Sequence, residues 1–119
     1  MQLNPQEKQI LRDLASRYME IASLPAQAEK RDLWKALNRS KMERPMVVID
    51  QPPWNELSVD ESLRCQVSDP FWRGIEWQLR TTIYKWEHFP VDMVVEPFIT
   101  IPKAVSSSGY GIAVQEDTR

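Results

Sequence analysis

Residues 68–101, SDPFWRGIEWQLRTTIYKWEHFPVDMVVEPFITI, contain the pattern of a capped helix, a short turn and a buried strand. Asp69 precedes Pro70, and this pair indicates a helix start because aspartate accepts bonds from free amides and proline loses no intrahelical donor. Apolar residues then recur every four positions, which predicts an amphipathic helix of about five turns. They are Phe71, Ile75, Leu79 and Ile83. Glu76 and Arg80 are expected mostly outside this face.

Two apolar runs predict strands. Met93 to Ile101 is rich in β-branched residues and is interrupted only by Glu96 and Pro97, which is typical of a buried strand. Pro45 to Asp50, PMVVID, has a similar composition and predicts a central strand. The consecutive prolines at 52–53 cannot donate to a ladder, so the chain is expected to leave the sheet there.

The N-terminal part of the chain predicts two helices. Asn4, Pro5 and Glu7 form a helix-start pattern, and the first helix is expected to run to about Ala22. A second helix is predicted from Ala26 to about Ser40. We interpret its charged run, residues 29–32, as a solvated face.

The alternation of strands and helices indicates βα units and therefore an α/β fold. Weaker alternation predicts an edge strand at 63–67 and a last short strand at 112–114. The size prior favours a single domain over residues 1–119. We expect a helical hairpin at 1–40 and a βα segment at 45–119.

Composition excludes several classes of protein. The chain has 119 residues and a net charge of -2 with basic and acidic residues intermixed, so a nucleic-acid-binding protein is not expected. The sequence contains no run of 18 apolar residues, so a membrane protein is not expected. The single Cys65, together with the lack of a signal-peptide pattern, favours a reducing, cytoplasmic location.

Three strings carry a resemblance to a known family. RDLWKALNRSKMERPMVVIDQPPWNEL, followed by DPFWRGIEWQLRTTIYKWEHFPVDMVVEPFITIPKAV and GYGI, resembles the N-terminal part of uroporphyrinogen-decarboxylase-like (URO-D-like) proteins. That superfamily includes tetrapyrrole decarboxylases and corrinoid methyltransferases. The resemblance implies a (β/α)₈ TIM barrel in which PMVVID and DMVVEPFITI are early strands. At 119 residues the chain is shorter than the roughly 250 residues of a complete barrel.

The sequence departs from that family at its functional positions. The decarboxylases have an arginine-rich segment after the first strand, whereas residues 50–57 read DQPPWNEL and contain no arginine. Carboxylate groups of a substrate would lose their charge-assisted bonds there. One His and one Cys cannot form a tetrahedral zinc site alone. We therefore expect no cofactor within this chain, with a corrinoid or zinc in a full-length relative, and no activity of the isolated chain.

Two carboxylates are the candidates for ligand binding. Asp50 and Glu96 lie at or near the carboxyl ends of predicted strands, where α/β folds place ligands. Gln51, Trp54 and Tyr110 are predicted to join them, Trp54 as a stacking wall and Gln51 as a hydrogen-bonding group. The simpler alternative, which we favour, is that Asp50 caps a turn and Glu96 accepts bonds from the backbone. No catalytic or metal-binding residue is assigned.

Three functions follow from these patterns. The first is the N-terminal segment of a URO-D-like protein without a complete active site, which needs a complementary barrel half. The second is a stand-alone α/β module for protein interaction or oligomerisation, and the third is a small enzyme using Asp50 and Glu96. Aromatic residues on several sides of the 70–88 helix favour a homo-oligomer. These residues are Phe71, Trp72, Trp77, Tyr84 and Trp86.

Overall fold

The computed structural model describes residues 2–113 and 115, and all regular secondary structure in that part of the chain is helical. The elements in order are α1 (Pro5–Ala22), α2 (Pro25–Asn38), α3 (Trp54–Leu57), a 3₁₀ turn (Glu61–Leu63) and α4 (Pro70–His88). Because the described residues form no strand, the predicted α/β fold is wrong, and so is the TIM-barrel architecture that the resemblance implied.

The long helices begin where their capping residues predict. Asn4 accepts a bond from the Glu7 amide at 2.8 Å, and the Glu7 carboxylate accepts one from the Asn4 amide at 3.2 Å, which completes a capping box at α1. At α4 the Asp69 carboxylate accepts the amides of Phe71 at 3.0 Å and Trp72 at 3.2 Å. Each cap satisfies amides that the first helical turn leaves without partners.

A small core holds α1, α4 and the chain after α4 together. Its buried residues are Tyr18, Ile21, Ala22, Leu79 and Val95. The Tyr18 hydroxyl donates to the carbonyl of Phe98 at 2.9 Å. The Gln27 side chain joins the end of α1 to the chain after α4, because it donates to Ile21 O at 3.1 Å and accepts from Val95 N at 2.8 Å. The residues that follow α4 are therefore fixed to the end of α1 and the start of α2.

The predicted strands are extended chain without a ladder. We call residues 45–50 the first apolar segment and residues 93–101 the second apolar segment. In the described chain, the only backbone–backbone hydrogen bond near both segments joins Asp92 N, just before the second segment, to Val47 O in the first segment at 3.0 Å. Residues 63–67 and 112–113 are not strands either, and Val114 lies outside the described residues. Strand-like composition is not enough, because a strand requires a neighbour to accept and donate its backbone bonds.

The molecule is open for its size. Its radius of gyration is 18.8 Å, whereas a compact domain of this length has about 13.5 Å. Its accessible surface is 9393 Å², compared with about 6700 Å² for a folded monomer of this mass. The excess of about 2700 Å² shows that much of the chain is not packed against itself.

Candidate functional site

The structure does not bring the five predicted site residues together. Asp50 and Gln51 are exposed on the first apolar segment and just after it, and Tyr110 is fully exposed. Trp54 packs edge-on against Trp77 and Tyr84, with ring centroids 5.7 and 6.1 Å apart. Glu96 lies at a different place, in contact with α2.

Glu96 forms an ion pair rather than a shared site with Asp50. The Arg31 guanidinium contacts it twice, with Nε 3.2 Å from Oε1 and Nη2 3.2 Å from Oε2. This pair lies at one side of an open cleft of about 690 Å³ between α2 and α4. The other polar groups along the cleft include Lys35, Gln78 and Lys85. None of the other four predicted site residues lines this cleft.

Asp92 is a buried carboxylate that pairs with two cations, and sequence reasoning missed it. Its side chain is nearly buried and contacts Lys30 Nζ at 2.8 Å, Arg44 Nη2 at 2.6 Å and the Val47 amide at 2.8 Å. The Arg44 hydrogen bonds, then those of Lys30 and Val47, hold the pKa of Asp92 far below its usual range. One carboxylate thus ties α2 and the first apolar segment to the end of the turn after α4.

The charged run of α2 is therefore only partly solvated. Lys30 and Arg31 hold Asp92 and Glu96, while Glu29 and Asp32 remain exposed. Our interpretation of the whole run as a solvated face is wrong for its two cations. The cations and carboxylates were visible in the sequence, but their pairing joins residues more than 60 positions apart.

A second buried charge lies on α4. Glu76 is completely buried and accepts the amides of Gln66 at 2.8 Å and Val67 at 2.9 Å. Arg80 donates its Nε to Glu76 at 2.9 Å and a guanidinium N–H to the carbonyl of Ser62 at 3.0 Å. Because every one of these groups is paired, the arrangement anchors the 62–67 loop and offers no free acid or base.

The two apolar segments present side chains and backbone together. Val47, Val48 and Ile49 are exposed in the first segment, and Phe98 and Ile101 in the second. No residue from 94 to 107 forms a backbone–backbone bond with any residue that the structure describes. Exposed β-branched residues beside unpaired amides and carbonyls are a ready template for another extended chain.

An apolar groove lies between α1 and α4. It has a volume of about 390 Å³ and almost no polar lining. Its walls are formed by Leu11, Ala15, Met19, Trp72, Ile75, Leu79, Phe98 and Ile99, with Arg12 and Tyr18 at its edges. The chain that leaves it after Ile99 is exposed at every residue from 100 to 113.

Within residues 2–113 and 115, no cluster of three or more His, Cys, Asp or Glu side chains is placed to hold a metal ion. No helix in this described part is both long and apolar enough to cross a membrane.

Comparisons of this chain with protein-family models, with curated proteins and with solved structures found no match.

Proposed function

We propose that this chain is a protein-association module, in which a helical scaffold presents the two apolar segments for burial against another polypeptide. The observation that carries the proposal is the surface that the chain leaves uncovered. The chain exposes about 2700 Å² more than a compact monomer of its mass, and the exposed Val47, Val48, Ile49, Phe98 and Ile101 of the two segments are part of that surface.

The kind of surface also favours a polypeptide as the partner. A lipid or a small molecule would cover apolar side chains, but it would leave most backbone groups of residues 94–107 without partners, since only Val95 N and Phe98 O bond to side chains of the described chain. An extended chain covers both, because its own amides and carbonyls bond to those of the segment. The segments are held ready for this by side-chain contacts, since Asp92 fixes Val47 and Gln27 fixes Val95. These segments therefore lose little further conformational entropy when a partner binds.

The first partner to test is a second copy of this chain. Homo-oligomers are the commonest soluble assemblies, and a surface that is present on each copy can pair with itself. The tryptophans of α4 add to the apolar area, since Trp72 lies at the groove and Trp77 is partly exposed.

The experiment compares matched substitutions inside and outside the surface. Val48→Lys places a charge in the first apolar segment, whereas Val59→Lys makes the same change at a valine that is 90% exposed after α3. We expect the wild type and Val59→Lys to associate equally in sedimentation equilibrium. Val48→Lys is expected to weaken association by about tenfold or more, because an unpaired charge would be buried. A wild type that is monomeric at about 100 µM contradicts self-association, and so does equal behaviour of the two variants.

We also propose that the polypeptide that covers the two apolar segments belongs to a URO-D-like protein. The support for this second proposal is the set of strings that resemble that family. In that case the complete assembly would act on tetrapyrroles or serve corrinoid proteins. Uroporphyrin added to this chain together with the remaining part of such a protein would quench the fluorescence of its tryptophans. Unchanged fluorescence at saturating uroporphyrin counts against this second proposal.

A further inference from the structure

We propose that the residues after the second apolar segment act as an exchange arm, which inserts Tyr110 into the apolar groove of a second copy of this chain. We define the arm as residues 102–113. The inference rests on the proposed association function, and it adds which surfaces meet and which side chain is the anchor.

The groove is built to receive apolar side chains. Its volume of about 390 Å³ lies within the range of about 300 to 1000 Å³ that is typical of binding pockets. Aliphatic and aromatic side chains from α1, α4 and the second apolar segment form nearly all of its lining. Water in such a groove finds few hydrogen-bond partners, so its replacement by apolar atoms is favourable.

The arm carries the matching groups. Val105, Tyr110 and Ile112 are at least three-quarters exposed, and Tyr110 is completely exposed. A turn closed by the bond from Gly111 N to Ser108 O, at 3.2 Å, places Tyr110 at its tip. Gly109 and Gly111 adopt φ values of 62° and 73°, which glycine tolerates without strain. The turn therefore presents a tyrosine, the kind of residue that anchors many interfaces.

The arm does not fill the groove of its own chain. It starts near the edge of the groove, after Ile99, and every residue from 100 to 113 is exposed to solvent. The part of the arm before the turn, residues 102–107, spans up to about 20 Å when extended, which is enough to reach a neighbouring molecule packed against this face. Since each copy carries both an arm and an open groove, two copies can exchange arms about a two-fold axis.

Arg12 at the edge of the groove offers a polar contact for the anchor. Its guanidinium forms no ion pair with any residue that the structure describes. A tyrosine whose ring lies along the groove and points toward Arg12 brings its hydroxyl to the guanidinium, which can donate to it. This contact favours tyrosine over phenylalanine as the anchor.

The affinity test uses substitutions at exposed positions, which leave the fold intact. Tyr110→Ser removes the anchor, and Ala15→Glu places a charge at the groove on the exposed side of α1. Ser16→Glu is the matched control, because it puts the same charge on the same helix but outside the groove lining. We expect the dissociation constant of the dimer to rise by about tenfold or more for the first two variants and to stay unchanged for Ser16→Glu.

The contact itself is tested by disulfide cross-linking in a Cys65→Ser background. Ala15→Cys in one chain and Ser108→Cys, in the turn that presents Tyr110, in another are mixed in a glutathione redox buffer. The disulfide between the two chains is read on a non-reducing gel. We expect a mixed dimer that depends on both cysteines. A double variant that closes its disulfide within one chain, independently of concentration, overturns the exchange because the arm then fills its own groove.

The remaining outcomes separate this inference from the proposed function. If the wild type associates but Tyr110→Ser has the affinity of wild type and no mixed disulfide forms, the arm exchange is wrong and association through the apolar segments stands. If the wild type is monomeric at every concentration, both the arm exchange and self-association through the apolar segments are wrong.

Discussion

Replacement of Glu76 by alanine is predicted to be the most destabilising single change in this chain. The completely buried carboxylate accepts the amides of Gln66 and Val67 and the Nε of Arg80. Without it, the buried amide of Val67 loses its acceptor at about 1 to 3 kcal/mol, while water can replace the acceptor of the partly buried Gln66 amide. Arg80 also becomes a buried charge without a counterion, and losing one partner of a buried pair costs about 3 to 5 kcal/mol in total. The free energy of unfolding of a typical domain is only about 5 to 15 kcal/mol, so most of the stability of this chain is at risk.

The assay is urea unfolding followed by tryptophan fluorescence and circular dichroism at pH 7. Glu76→Gln retains an acceptor for the amides and is expected to lose about half as much free energy as Glu76→Ala. Glu87→Ala is the control, because Glu87 pairs with Arg17 where both side chains are about 40% exposed. Such a surface pair contributes about 0 to 1 kcal/mol. A loss below about 1 kcal/mol for Glu76→Ala, or one equal to that of Glu87→Ala, refutes the assignment of Glu76 as the anchor of the 62–67 loop.

Two further predictions concern the turn after α4. Arg44, Lys30 and the Val47 amide lower the pKa of Asp92, so its contribution to stability is present above the unfolded pKa of about 4 and is lost as pH falls below that value. The urea midpoint of Asp92→Asn should therefore be below that of wild type at pH 7, and the difference between the two midpoints should be smaller at pH 3. A difference that is equal at both pH values would contradict this role of Asp92. Val91 has φ of 42°, a conformation that strains a β-branched residue, so Val91→Gly should raise the free energy of unfolding by about 0.5 to 1 kcal/mol in the same assay. An unchanged or lower value shows that the strain is absent or is outweighed by lost contacts.

Helix boundaries were predictable because their signals are local. Asn4 with Pro5 and Asp69 with Pro70 mark the starts of α1 and α4, and the structure confirms both. The second helix was predicted from Ala26 and begins one residue earlier, at Pro25. Capping bonds join residues only two or three positions apart, so a single sequence contains all the information that they require.

The strands were not predictable because pairing is not a local property. The runs at 45–50 and 93–101 have the composition of buried strands, yet each lacks a ladder partner in the described chain. Burial and pairing depend on what lies beside a segment, and β-propensity alone does not specify it. The exposure of these runs is the basis of the association proposal.

Buried charge was missed for a related reason. Helical periodicity placed Glu76 and Arg80 outside the apolar face of α4, but the helix buries them together with Leu79 and Tyr84. The signal that could have found them is their four-residue spacing, which lets the two side chains pair on one side of a helix. Nothing local indicated that the 62–67 loop would cover that side.

The predicted ligand site failed to assemble in the same way. The prediction placed Asp50 and Glu96 at the ends of adjacent strands. In the structure Glu96 pairs with Arg31, and Asp50 is exposed. Trp54 serves as a packing residue against α4. Asp92, four residues before Glu96, was the carboxylate with the stronger set of partners.

The most direct test of the association proposal is amide hydrogen exchange, measured at several protein concentrations. The account predicts that the amides of residues 46–50 and 94–101, other than the hydrogen-bonded amides of Val47 and Val95, exchange rapidly in dilute solution. These amides become protected as the protein concentration rises, while protection within α4 changes little. Rapid exchange of both segments at every concentration would contradict the claim that they bind another copy. Strong protection in the dilute monomer would show that the chain covers these segments itself.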